Sequence, residues 1–315
     1  MPTPALNTLL DPEFSKVEAK EQIELASPVL REIVNYSTRA FGRFAASTSS
    51  DRDVDFAVLA LHRHMIEATD GVEVLVSQCC PDAAAPLLRS SFEALLSIRY
   101  IVETDDDYRE RGLACLVHAI RSRIQMYEML DPETERGRQY RDDWKTDQMT
   151  ASWPFEYAEV ARRQKANLEK LLQKPHLTPL EEIHRKLKPR RWYGVCGRNA
   201  NAEQLARHLA AGGRYGILYR VWSKTIHSED LISMVGTRGK GNPSVRRIRD
   251  SGELKQTALF AASFLLDGTR SMMRHFRPEE LDGFSEWYSI EVAERYRALA
   301  EPPTVGRDLG SEATG

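Results

Sequence analysis

Apolar residues return every three or four positions along nearly the whole chain and almost nowhere every two, the period of helices and not of strands. In "DRDVDFAVLALHRHMIEATDGVEVLVSQCC" the pattern starts after a polar Ser-Ser-Asp, fit to cap a helix, and stops at Pro81. Residues 12–47 predict one or two helices, with Ser27-Pro28 as the break. "DAAAPLLRSSFEALLSIRYIVE" places Pro86 near a first turn, and Asp105, Asp106 and Asp107 supply negative charge at the start of "YRERGLACLVHAIRSRIQMYEML".

Residues 131–150 are polar enough for an exposed helix or excursion. Pro154 and Thr178-Pro179 predict helix starts, and Thr178 with Glu181 matches a capping box. Residues 191–199 predict a loop. A short helix then begins at Asn201 and ends at Gly212-Gly213, followed by a helix over 214–228. "SMVGTRGKGNPSVRRIRDSG" is a Gly-rich basic connection, "ELKQTALFAASFLLDGTRSMMRHF" and "PEELDGFSEWYSIEVAERYRALA" are closing helices, and residues 301–315 predict a disordered tail. Strand signals are almost absent and no repeat period stands out. The expectation is an all-α protein, an irregular bundle of about ten helices. It divides into an N-terminal helical segment (1–50), a main helical domain (51–300) and the tail.

Charge and cysteine usage narrow the function classes. Lys plus Arg number 44 against 46 Asp plus Glu, a net charge of -2, so any polyanion site must be a local patch. The four cysteines form no C-x-x-C pair, which fits a reduced cytoplasmic interior. The first residues lack a basic n-region with an apolar core, and no run of about 18 apolar residues predicts a membrane span.

Two segments carry polar groups in apolar company. "PLLRSSFEALLSIRYIV" is apolar nearly all round, with Arg89 and Glu93 four residues apart on one face. These two suit a structural ion pair or part of a site. In "YRVWSKTIHSEDL", Tyr219, Trp222, Ser223 and Ile226 share one face with Tyr215. Arg220 and His227 lie in line on its flank, about 10 Å apart along the axis. An arginine presents a permanent planar fork for phosphate and a histidine exchanges protons near neutral pH, so together they suit phosphodiester cleavage. The alternative is a hydrogen-bonded histidine near a helix end and an arginine paired with an acid such as Glu93.

The "LLRSSFEALL" helix, together with Trp192 and the run Tyr219, Ser223 and His227, resembles the two hallmarks of the DUF5677 family of uncharacterised bacterial proteins. The resemblance covers roughly residues 55–275 and implies an all-helical protein with no settled activity. "RVWSKTIH" is similar, more loosely, to the Arg-x(4–6)-His signature of HEPN ribonucleases. That likeness implies a dimeric helical bundle that joins two such motifs into a metal-independent RNA-cleaving site. Many such proteins are toxins or antiviral effectors, which also implies a neutralising or defence-system partner protein. Val221 stands where those motifs commonly carry a polar residue, and this chain is much longer than a minimal HEPN domain.

The expected reading is therefore an RNA-cleaving homodimer without cofactor. His227 is the acid/base, Arg220 stabilises the transition state, and Tyr219 and Ser223 position the phosphate. Arg238, Lys240, Arg246, Arg247 and Arg249 hold RNA through a flexible loop. The rival reading is a non-catalytic interaction or scaffold protein in which Arg89, Glu93, Trp192, Tyr219, Ser223 and His227 make a structural polar network. His62, His64 and Glu67, with a single E-x-x-H at Glu181 and His184, do not make the ligand set of a di-iron bundle, so no metal is expected. Neither a phosphate-binding P-loop nor a G-x-S-x-G elbow is present.

Overall fold

The computed structural model describes residues 9–47, 52–150, 157–196, 199, 201–216, 235–238 and 242–301. They form helices α1 (Pro12–Glu18), α2 (Lys20–Ala46), α3 (Arg52–Ser77), α4 (Ala85–Ile101), α5 (Asp105–Leu130) and α6 (Glu135–Thr146). These are followed by α7 (Ala158–Leu172), α8 (Thr178–Leu187), α9 (Ala202–His208), α10 (Leu254–Phe276), α11 (Leu281–Trp287) and α12 (Ala293–Ala300). The fold is an all-α multi-helix bundle. One departure lies in the Gly-rich connection, where β1 (Val235–Arg238) and β2 (Asn242–Val245) form an antiparallel ribbon with Val235 opposite Val245. Neither arm alternates apolar and polar residues, and both contain residues that strands disfavour, so the sequence pattern does not announce it.

Side-chain caps start several of the helices, and the one at Asn201 stands where the sequence places it. Thr104 accepts from the Asp107 amide, Thr134 from Gly137 and Asn201 from Gln204. Several ends differ from expectation for identifiable reasons. The N-terminal break falls at Ala19, and α2 runs through Pro28. Proline leaves the Glu24 carbonyl without its helical donor, but Ala26, Val29, Leu30 and Ile33 around it are fully or almost fully buried. Arg31 also bonds the α3 carboxylate of Glu73 at 2.9 Å, which ties that stretch of α2 down. The capping box at Thr178 does not form. Thr178 Oγ1 donates to the Lys174 carbonyl, and Glu181 turns to Arg121 instead. The short helix α9 stops before the Gly pair. Ala210 takes a left-handed conformation (φ 54°), and the Ala211 amide reaches back to the Ala206 carbonyl at 2.7 Å. Cys79 closes α3 the same way, with Cys80 bonded to Leu75.

The chain divides into two compact units that interleave along the sequence. Unit 1 is Met1–Arg43, Arg63–Leu95 and Leu218–Gly315, and unit 2 is Phe44–His62 and Leu96–Ile217. In unit 1, Leu30 and Ile33 of α2, Met65 of α3, Leu88 and Phe92 of α4, and Phe264 and Leu265 of α10 are fully buried. Gly268 lets α10 approach α3 closely, because a Cβ there would lie 2.9 Å from the Met65 sulfur. The same unit holds a half-buried aromatic pair, in which Tyr36 stacks on Trp287 at 3.8 Å and the Trp287 indole N–H donates to Glu32.

Unit 2 is built around α5. Leu113, Ala114, Val117 and Ile124 are buried on it, and Gly112 admits Val54 at a distance that no Cβ would allow. At its N-terminal end sits Arg111, 2% exposed. Its guanidinium donates to the Tyr100 carbonyl (2.6 Å), Glu103 (2.7 Å) and Asp107 (2.5 Å), and lies 3.9 Å from the centre of the Tyr100 ring. Burial would raise the Glu103 carboxyl, but the bonds from His208 and Arg111 outweigh it and hold the group below its ordinary range. Arg111→Ala leaves the carbonyl and two carboxylates without this donor. The expected cost is about 3–5 kcal/mol, the range for breaking a buried charge cluster on one side. Arg111→Met, which keeps the volume, is expected to cost less than the alanine variant in chemical denaturation.

Candidate functional site

Tyr219, Arg220, Ser223, His227 and Lys240 lie outside the described residues. Arg238 closes β1, with Asn242 as its cross-strand partner. The other three cations of the basic connection are engaged within unit 1. Arg246 faces Asp250 at 3.3 Å and Asp82 at 3.9 Å. Arg247 pairs with Glu18 at 3.1 Å and covers the Phe14 ring at 4.6 Å. Arg249 donates to the Gln78 carbonyl, and its own carbonyl accepts from Ser15. With the Ile248 amide bonded to the Leu9 carbonyl, the segment after the ribbon fastens α1 to the rest of its unit.

Arg89 and Glu93 meet on α4 as a 3.4 Å ion pair, with side chains 20% and 28% exposed. This is half-buried packing, short of the full burial that the apolar flanks suggest. Trp192 is buried in unit 2, its indole N–H 3.4 Å from Ser97 Oγ and its ring 5.7 Å from Tyr100. The histidines and acids of the weak metal signal serve other partners. His64 bonds Ser90 at 2.5 Å, Glu67 pairs with Arg63, and His62 is buried beside Phe44. Among the described residues no group of three His, Cys, Asp or Glu is placed to hold a metal ion.

A constellation in unit 2 escaped the sequence reading. Helices α5 and α8 run antiparallel with a polar ladder between them. His118 Nδ1 lies 3.0 Å from His184 Nε2, and one turn away Arg121 Nε donates to Glu181 at 2.7 Å. Glu181 and His184 are 7% and 8% exposed. Beyond the ladder α8 ends in "HRKLKPRR", residues 184–191, with five Lys or Arg and no acid until Glu203. Lys188 caps the helix in a left-handed conformation (φ 45°, ψ 53°), its amide bonded to the His184 carbonyl at 2.8 Å. Arg185, Lys186, Lys188 and Arg190 are exposed. Arg185 approaches Glu181 only to 4.0 Å, and no ion-pair partner of Lys186, Lys188 or Arg190 occurs among the described residues. The run of charge was visible in the sequence, and only its contrast with the engaged loop cations gives it meaning.

The architecture is that of a helical protein in which several charged residues join one helix to another. A family model, the family of unknown function DUF5677, matches residues 55–242, and the chain belongs to that family. The match ends within the ribbon, so α10 lies beyond it. No curated protein and no solved structure matches the chain.

The histidines make stability depend on pH. Burial pushes His62 down to about 3. Burial, helped by His184 and Arg191, pushes His118 down to about 4, and burial with Arg121 lowers His184. An N–H···N bond between two imidazoles also requires one of the facing nitrogens to be unprotonated. Folded values below the unfolded value of about 6.5 mean that the unfolded chain binds more protons. Stability from these groups is complete above about pH 6.5 and declines as pH falls toward about 4 and then 3. Thermal melts across this window should show a fall that His118→Gln makes shallower, and a melting temperature constant down to pH 4 would contradict the ladder.

Proposed function

We propose that the chain is a metal-independent endoribonuclease, HEPN-like, in which Arg220 and His227 are the reacting pair. One observation supports the reading: the Arg-x6-His spacing falls inside the segment that carries the family match, with Tyr219 and Ser223 beside it. His227 takes the proton of a ribose 2′-hydroxyl, the 2′-oxygen attacks the adjacent phosphorus, and the bond from phosphorus to the 5′-oxygen breaks. The imidazolium returns the proton to that leaving oxygen, and a 2′,3′-cyclic phosphate remains. Arg220 neutralises the charge that builds on the phosphoryl oxygens. Tyr219 and Ser223 hold the phosphate, and Arg238 and Lys240 lie close in sequence to receive the strand. A second copy of the chain completes the groove, so the active form is a homodimer. A toxin or phage-defence role, with a neutralising or defence-system partner protein, agrees with such chemistry.

The second reading, a non-catalytic helical interaction or scaffold protein, is favoured by a separate observation. Arg246, Arg247 and Arg249 bond the segment around Asp82, α1 and the turn after α3 within unit 1, and Arg89 bonds Glu93 of its own helix. Polar residues that looked available for RNA hold helices together. Incubation with total RNA separates the two. The native chain is expected to cut RNA in the presence of EDTA, and His227→Ala to lose cutting by a factor of about 10² or more while keeping its helical spectrum. Cutting that EDTA abolishes and a divalent ion restores would remove the metal-independent mechanism. Light scattering at micromolar concentration is expected to give a dimer. A monomer that leaves RNA intact would favour the scaffold.

A further inference from the structure

We propose that the C-terminal end of α8 and the turn after it, residues 185–190, form a docking surface for the phosphate backbone of single-stranded RNA. The choice of RNA rests on the cleavage reading, whereas the surface itself rests on geometry. Arg185, Lys186, Lys188 and Arg190 surround one helix end, are exposed, and lie in a stretch with no acid between Glu182 and Glu203. The carboxylate within 4.0 Å of Arg185, Glu181, is buried and already bonded by Arg121.

A purely structural role explains part of this set. Cations in a last turn complement the negative end of the helix dipole, which accounts for Arg185 and Lys186. It does not account for Arg190, which lies beyond Pro189 and outside the helix. Nor does it explain a lysine at the left-handed cap, where glycine or asparagine fits with less strain. The four cations fall within six residues of chain around one helix end, so a single strand passing over it can meet several of them with neighbouring phosphates. Lysines and arginines without aromatic partners recognise charge and not base identity, so the contact is sequence-independent. An anionic membrane fits less well, because the apolar residues exposed on α8 are Ile183 and Leu187 alone.

The test uses a fluorescent single strand of 2′-O-methyl nucleotides, which transesterification cannot cut, so binding is read apart from cleavage. Log affinity is plotted against log salt for the full-length chain and two variants. Lys186→Gln/Lys188→Gln/Arg190→Gln is expected to weaken binding by about tenfold or more at low salt, for all sequences alike. It should also reduce the salt slope by about 2, since each phosphate contact on a single strand contributes about 0.7. Arg246→Gln/Arg247→Gln, whose native residues are engaged internally, is expected to leave the slope unchanged. Both variants are checked for native melting. No RNA binding by the native chain would overturn the proposal, as would an unchanged slope in the triple variant or a slope lost only in the Arg246/Arg247 variant. Binding of the triple variant's parent to phosphatidylserine vesicles but not to RNA would overturn it too. Binding that behaves as expected in a chain that cuts no RNA would sustain the surface and remove the ribonuclease reading.

Discussion

A guanidinium withdrawn from water needs acceptors for its N–H groups, and unit 2 holds one that finds three. Arg111 sits 2% exposed on α5 and reaches the last turn of α4, Glu103 in the connection and Asp107 in its own first turn. Removing any acceptor would leave a charge in low dielectric with too little compensation. The turn between α4 and α5 is therefore fixed by charge as well as by packing. From that fixed corner α5 presents Cys115, His118 and Arg121 at successive turns toward the segments that follow. Glu73 plays the reciprocal part in unit 1, a buried carboxylate met by Ser27 and Arg31 of α2.

The same constraint sorts the remaining cations. A positive side chain near an acid of its own unit is consumed, and one that finds none stays hydrated and ready for an external anion. Arg246, Arg247 and Arg249 look like the obvious polyanion site in the sequence, yet they face Asp250, Asp82, Glu18 and the Gln78 carbonyl. Lys186, Lys188 and Arg190 are less conspicuous, and they remain unpaired among the described residues. Charge density along a sequence therefore overstates the first group and understates the second. What decides between them is the position of acids far away in the chain.

That asymmetry also explains which parts of the molecule were legible. Helices were readable because their period, caps and prolines are local, and Thr104 and Asn201 cap where their residue types suggest. The break at Pro28 was misread because packing of Leu30 and Ile33 and the Arg31–Glu73 bond outweigh a local penalty. The capping box at Thr178 failed for a related reason, since Glu181 gains more from a charged partner on α5 than from its own helix end. The ribbon carries no alternating pattern to read. Of the candidate site, the Arg89–Glu93 pair was legible because it is an i, i+4 contact, whereas Arg247–Glu18 joins residues far apart in sequence. The reacting pair of the proposed mechanism, Arg220 and His227, remains a statement of sequence spacing, because both lie outside the described residues.

The ladder between α5 and α8 connects these points to function. A phosphate-binding surface loses affinity when its cations must first be ordered, since each long side chain and each backbone residue fixed on binding costs entropy. Here the backbone part of that cost is met during folding. Glu181 and His184 clamp α8 to α5, the Lys188 amide closes the helix on the His184 carbonyl, and Pro189 fixes the exit direction. Arg185 and Lys186 before the cap, Lys188 at it and Arg190 after it thus follow a backbone fastened to α5. Protonating the His118–His184 contact would loosen that support without touching any cation. The surface would then weaken toward acid pH through its scaffold, even though its own lysines and arginines keep their charge.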